Sequence, residues 1–246
     1  MDQILMSQVK TDQIKIITIA GTPSSGKTAV ISHLARLWEA AGLRVAAAKF
    51  DALSTGDDVW FRERVGIPAV KGLGKYICPD HFYISNLEEV VAWGREQSAR
   101  ILFIETAGLC LRCAPHIENI PAVTVMDVLS GMDAPEKMGP LLSLADVVVV
   151  TKGDMVSQAE KEVFIHRIRQ ANPGAQVFQI NGLTGSGAIP LRRLMDTWPG
   201  REGVSGLSLR YSMPASVCSY CTGETRIGEL FQSGNVTKIQ IPKAAS

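Results

Sequence analysis

Apolar runs that alternate with helical patterns predict an α/β fold, with a mostly parallel sheet covered by helices on both faces. Three observations carry this expectation. Gly21-Thr22-Pro23-Ser24-Ser25-Gly26-Lys27-Thr28 has the Gly-x-x-x-x-Gly-Lys-Thr spacing of a phosphate-binding P-loop. Its flanks have the right character: Ile14–Ala20 is a β-branched, apolar run, and Ala29, Val30, Leu34, Leu37 and Trp38 recur at helical spacing. Five further strand-like runs alternate with helical stretches up to about residue 200.

The elements follow in order. Ile14–Ala20 suits a buried central strand, and the helix after the loop runs over Lys27–Ala41 to a stop at Gly42. Further strands are expected at Arg44–Lys49, Ile101–Thr106, Ala122–Asp127, Asp146–Thr151 and Gln176–Ile180. Helices are expected at Asn86–Ala99, Ala134–Leu144, Gln158–Ala171 and Ile189–Thr197. Right-handed crossovers put the strand C-termini on one edge, where ligands bind. Gly200–Gly206 is Gly/Ser-rich and reads as a linker, which divides the chain into a P-loop nucleoside-triphosphatase domain over 1–200 and an appendage over 207–246. Within the appendage, Leu207–Met213 and Val236–Ile241 have strand composition and flank a Cys-x-x-Cys pair, so a small Cys-containing β unit is expected.

Composition narrows the function classes. The chain has 246 residues and a formal net charge of +1, with Lys+Arg and Asp+Glu nearly equal, so no nucleic-acid or membrane surface is expected. No apolar stretch approaches the ~20 residues of a membrane span. The first eleven residues mix Asp, Gln and Lys with apolar residues, unlike a signal peptide, so a cytoplasmic location is expected. Five cysteines, four of them in two Cys-x-x-Cys pairs, favour metal or redox chemistry over a disulfide framework.

The P-loop implies a nucleoside triphosphate. Backbone N–H groups around Gly21, Ser24, Ser25 and Gly26, with the positive end of the following helix, form an anion cradle. Lys27 is placed to reach the outer phosphates and the Thr28 hydroxyl to hold Mg²⁺. Thr151-Lys152-Gly153-Asp154 follows a strand and supplies a guanine-selecting carboxylate. Asp154 can accept from the N1–H and the exocyclic amine of guanine, for which adenine has no match, so GTP is the expected nucleotide. The usual first residue of this motif is Asn, from which Thr151 departs. Asn181, after the Gln176–Ile180 strand, falls where a further base-contacting loop is expected. Asp51 and Glu105 end strands and are candidate Mg²⁺ ligands beside Thr28, and Asp57 and Asp58 are candidates to orient the attacking water. Lys27, Asp51, Glu105 and Asp58 form the expected catalytic set. Gly108, just after Glu105, allows a loop that responds to the γ-phosphate.

The cysteines leave alternatives open. Cys78-Pro79-Asp80-His81 offers a thiolate and an imidazole suited to Ni²⁺, Zn²⁺ or Cu⁺, with a second subunit needed to complete the ligand set. Structural packing is the plainer reading of such a pair. Cys110 and Cys113 follow the Glu105–Gly108 loop, and Cys218 and Cys221 lie in the tail. Together they suit a four-thiolate zinc site or an iron–sulfur cluster, and singly they suit bridges between two subunits. A disulfide or inert buried thiols are the bland alternatives for the tail pair. His33 and His166 lie within helices and read as packing or surface residues.

With these motifs in order, residues 14–197 resemble the nickel-insertion GTPases of the hydrogenase and urease accessory families, within the dimerising P-loop class that includes signal-recognition and Mrp-type proteins. The resemblance rests on Gly21–Thr28, Phe50-Asp51 through Asp58, Lys71–His81 and Ile104-Glu105-Thr106-Ala107-Gly108. It continues through Val125-Met126-Asp127-Val128, Thr151–Asp154, Asn172-Pro173 and Thr184-Gly185-Ser186-Gly187. Asp80 is inserted where the family has Cys-Pro-His or Cys-His, no His-rich nickel-storage tract occurs, and Cys110 and the 207–246 tail lie outside the family pattern. The resemblance implies a GTP-hydrolysing metallochaperone that binds GTP, Mg²⁺ and a transported metal, works as a homodimer, and serves a client metalloenzyme or its accessory proteins. Its rivals are a nucleotide-switched zinc- or iron–sulfur-binding scaffold that assists a redox or corrinoid partner, and a P-loop small-molecule kinase.

Overall fold

A computed structural model describes residues 13–108, 115–211, 223–234 and 237–241. The strands are β1 (Lys15–Ala20), β2 (Val45–Asp51), β3 (Ala69–Leu73), β4 (Ile101–Glu105), β5 (Ala122–Asp127), β6 (Val147–Thr151) and β7 (Gln176–Ile180). They form one sheet in the order β3-β2-β4-β1-β5-β6-β7, with every pair parallel. From β1 the chain first winds outward through β2 and β3, then returns past β1 to build β5, β6 and β7. The P-loop at the end of β1 therefore sits at the point where the strand order reverses, and that point opens a crevice.

Alternation along the strands serves both faces. Ile17, Ile19, Phe103, Val125 and Val149 pack under α1 (Lys27–Glu39) on one face. On the other face the core divides. Ile16, Phe50, Leu102 and Ile104 pack under α3 (Pro79–Ser85) and α4 (Leu87–Glu96). Met126, Val148 and Val150 pack under α7 (Gln158–Ala171) and the two short turns α5 (Ala134–Lys137) and α6 (Pro140–Ser143). Strands buried on both faces explain why they read as continuous apolar runs.

Most expected elements form within a residue or two of their expected bounds. The helix expected over Ala134–Leu144 breaks into two turns because Gly139 has positive φ (52°) and Pro140 starts afresh. Among the described residues six elements were not anticipated: β3, α3, the turn α2 (Asp57–Trp60), a wide helical turn over Phe61–Val65, and the single tight turns Val128–Ser130 and Glu229–Phe231. The helix Ala188–Asp196, expected over Ile189–Thr197, closes the fold against α1.

The strands expected at Leu207–Met213 and Val236–Ile241 do not form among the described residues, where only isolated bridges pair Leu209 with Ile117 and Ser208 with Arg226. Their apolar side chains instead pack on the α3–α4 core, with Leu209 buried and Leu207, Ile239 and Ile241 against it, and Ile227 between the two segments is buried there too. Polar clamps reinforce this attachment. Arg210 donates to both carboxylate oxygens of Asp146 at 2.9 and 2.8 Å and to the carbonyls of Ile117, Ile120 and Leu144. Buried Asn86 donates to the Thr237 carbonyl at 2.9 Å and accepts from the Ile239 N–H at 2.7 Å. No helix among the described residues is long and apolar enough to cross a membrane.

Candidate nucleotide site

The phosphate cradle is shaped by backbone. At Gly21, φ is 143° and a Cβ would lie 2.2 Å from the Val125 carbonyl oxygen, so only glycine fits. Gly26, left-handed at φ 91°, stands at the N-cap of α1 and offers no capping side chain, which leaves the helix N–H groups to the cleft. Lys27 donates from Nζ to the carbonyls of Gly21 (2.8 Å) and Thr22 (2.9 Å), and burial pulls its pKa down to about 8 against the pull of Glu105. The Ser25 hydroxyl is fully buried within the loop and has no hydrogen-bond partner among the described residues.

The acids gather from three elements. Glu105, at the end of β4, receives the Thr28 hydroxyl at 3.2 and 3.3 Å. Lys49, one residue from the end of β2's apolar run, donates to Glu105 at 2.6 Å. Its Nζ also lies 3.1 Å from Asp57 and 4.0 Å from Asp51. Burial pushes the Glu105 carboxyl up, with Lys49 and Lys27 opposing. Burial would lower Lys49, but Glu105 and then Asp57 outweigh it and hold the ammonium above its ordinary range. These groups line a cleft of 520 Å³ together with Trp60. The loop after Glu105 lies directly on the P-loop: a Cβ on Gly108 would fall 1.7 Å from the Gly21 carbonyl oxygen.

Sequence reasoning missed Lys49, because a lysine in a strand gives no sign of partners that lie far away in the chain. Of the two neighbouring acids, Asp57 faces the cleft. Asp58 is turned away, buried against Arg62 (3.0 Å) and Lys71 (3.3 Å), and does not line it. Asp58, expected in the catalytic set, thus lies off the cleft that Asp57 lines: one step along the first turn of α2 moves a side chain to another face. The oxygen donors around Thr28, Asp51 and Glu105 suit a hard divalent cation such as Mg²⁺.

The base end is made of loops. Thr151, buried at the end of β6, donates from its hydroxyl to the Ser25 carbonyl at 2.6 Å and so ties this motif to the P-loop. Lys152 takes positive φ (57°), and its ammonium pairs with Asp127, a partner not anticipated from sequence. Asp154 and Asn181 line a separate cleft of 240 Å³ with Lys161, Gln179 and Gly187. The Asn181 carboxamide oxygen accepts from the N–H groups of Leu183 (2.9 Å) and Thr184 (3.0 Å), so that atom shapes its own loop.

Cys78 caps α3 and is half-buried, and Pro79 fills the first helical position. Asp80 and His81 turn inward, both 2% exposed. Burial, then the nearby Cys78, pushes the Asp80 carboxyl up to about 7, and Lys27 counters it. Among the described residues no three His, Cys, Asp or Glu side chains form a group able to hold a metal ion. Cys110, Cys113, Cys218 and Cys221 lie outside the described residues.

Comparison with known proteins agrees with this geometry. The family described as CobW/HypB/UreG, nucleotide-binding domain, matches residues 15–179. The uncharacterized protein MJ0120 of Methanocaldococcus jannaschii is 42% identical over 226 residues, covering 92% of this chain and 96% of that protein. The hydrogenase maturation factor HypB of Azotobacter vinelandii is 27% identical over 177 residues; the match covers 70% of this chain and 56% of HypB. Among solved structures, HypB of Archaeoglobus fulgidus superposes with a TM-score of 0.57 at 22% identity, covering 74% of this chain and 89% of that one. The P-loop, the acid at the end of β4 and the T-K-x-D loop lie within the matched span, and the chain belongs to the CobW/HypB/UreG family.

Proposed function

We propose that this chain is a GTPase that acts in the cytoplasm as a metallochaperone: GTP closes a homodimer, and hydrolysis opens it and releases a metal ion to a client metalloenzyme or its accessory proteins. The observation that carries the reading is the stack of the Glu105–Gly108 loop on the P-loop. Glu105 touches Thr28, and Gly108 abuts Gly21. A γ-phosphate in the cradle therefore bears directly on the segment that leads to Cys110 and Cys113.

Residues 1–200 act as the GTPase domain in this reading, and 207–246 as the appendage pinned to it by Arg210 and Asn86. Lys27 holds the outer phosphates, Asp154 selects guanine, and Thr28, Asp51 and Glu105 surround Mg²⁺, which supplies charge neutralisation at the phosphates. Asp57, facing the cleft, orients the attacking water. Cys78 offers the accessible thiolate for the cargo, nickel by family resemblance, and His81 joins it once the first turn of α3 opens. The two Cys-x-x-Cys pairs serve zinc or an iron–sulfur cluster.

The test is anaerobic purification with metal analysis and sedimentation, with and without a slowly hydrolysed GTP analogue. We expect the analogue to favour a dimer that carries about one transition-metal ion per pair of chains, lost in Cys78→Ala. A chain that stays monomeric in every nucleotide state and holds no metal above background would rule out the chaperone reading.

A further inference from the structure

We propose that Lys49 is the cation that senses the γ-phosphate and stabilises its transfer, in place of an arginine finger. The inference rests on the GTPase reading above and adds to it a residue that no motif marks.

Lys49 sits beside Glu105 in the parallel register of β2 and β4, and both side chains reach the C-terminal edge of the sheet. It is 5% exposed, yet it lines the phosphate cleft. Three carboxylates, Glu105, Asp57 and Asp51, surround its ammonium. A buried lysine is retained as a charge only where such partners exist. Among the described residues that line the cleft, the cations are Lys27 and Lys49, and Lys27 belongs to the P-loop.

Two of the three partners, Asp51 and Glu105, are the acids placed to serve a nucleotide's divalent cation beside Thr28. Were those two acids to hold that cation, Lys49 would keep Asp57 and have the γ-phosphate as its further anion. GDP lacks that anion, so Lys49 would have only carboxylates to pair with. In hydrolysis the water oxygen forms a bond to the γ-phosphorus as the bond to the β,γ-bridging oxygen breaks. The water's proton leaves through Asp57 to the inorganic phosphate released. Negative charge shifts toward the bridging oxygen during this step, and an ammonium fixed beside the phosphates stabilises it.

The test uses the full chain with Lys49→Gln and Lys49→Arg. Trp60 lines the cleft at 47% exposure, and its fluorescence reports nucleotide binding. We expect Lys49→Gln to lower the preference for a slowly hydrolysed GTP analogue over GDP about tenfold or more, whatever common change it makes to both affinities. Single-turnover hydrolysis should fall by about 10²-fold or more. Lys49→Arg should restore the preference and part of the rate, since it restores the charge but not the geometry. A wild-type preference and rate in Lys49→Gln would overturn the proposal. Equal loss of GDP and analogue binding would overturn it too, by making Lys49 a structural ion-pair residue. Failure of the wild-type protein to bind any guanine nucleotide would instead remove the GTPase reading itself, and this proposal with it.

Discussion

At the phosphate end of the cleft the working charges are buried: Lys27, Lys49 and Glu105 are 4%, 5% and 1% exposed; Lys49 and Glu105 hold each other, and the Gly21 and Thr22 carbonyls hold Lys27. At the base end Asp154 is exposed, and the cleft around it is built by loops that follow β6 and β7. The two ends meet at Thr151, whose hydroxyl bonds the Ser25 carbonyl. Burial sets how much a group can matter. In a water-excluded cleft a lost charge leaves its partners unpaired, whereas at an exposed loop water replaces much of what is lost. Mutational effects should therefore be large at the phosphate end and small at the base end.

The largest effect is expected at Lys27. Lys27→Ala removes the charge proposed to meet the outer phosphates, and truncating one partner of a buried charge pair costs about 2–5 kcal/mol or more. We expect GTP affinity to fall at least ~10²-fold with an unchanged circular dichroism spectrum. The same residue predicts a pH dependence. Burial holds the pKa of Lys27 in the empty cleft at about 8, and a bound phosphate favours the protonated form. Below about pH 8 the lysine is already charged and affinity should be flat on its account. Above that value binding must take up a proton, so affinity should fall toward tenfold per pH unit. Calorimetry in buffers of different ionisation enthalpy reads this uptake, and affinity that does not change between about pH 7 and 9 would break the link between burial and binding.

The same contrast explains what was legible in the sequence. The P-loop, Glu105 and the T-K-x-D loop are local patterns on strong elements, and all appear at one sheet edge as expected. Lys49 was invisible because its meaning lies in Glu105, which reaches it only through pairing of β2 with β4. Asp57 and Asp58 were not separable by spacing alone, since adjacent residues on a helical turn face different ways. The edge strand β3, Ala-Val-Lys-Gly-Leu, is short and holds a glycine, so it lacks a strand's usual signal. The tail has the alternation of strands, but its apolar residues spend it on packing over α3 and α4.

A smaller effect is expected at Asp154. Asp154→Asn replaces a two-fold acceptor with a group that presents one acceptor and one donor to guanine, a mismatch worth ~1–3 kcal/mol. Exposure puts the change toward the low end of that range. The ratio of GTP to ATP affinity should narrow while hydrolysis of bound GTP continues at the wild-type rate. A drop in that rate without a change in the ratio would place Asp154 with the phosphates and dissolve the division between the two ends.

The smallest effect is expected where the ends join. Thr151→Val keeps the shape of the side chain and removes its hydroxyl, which donates to the Ser25 carbonyl at 2.6 Å. That carbonyl lies in a buried loop, so its lost partner should cost about 1 kcal/mol of stability, read as a shift in the denaturant midpoint. Because the bond runs to the P-loop and not to the base cleft, GTP and ATP should lose affinity together, and only slightly. The preference for GTP should survive intact. If the preference instead falls while the midpoint stays, Thr151 contacts the base as the usual asparagine of its motif would, and the tether between the two ends is not what holds them in register.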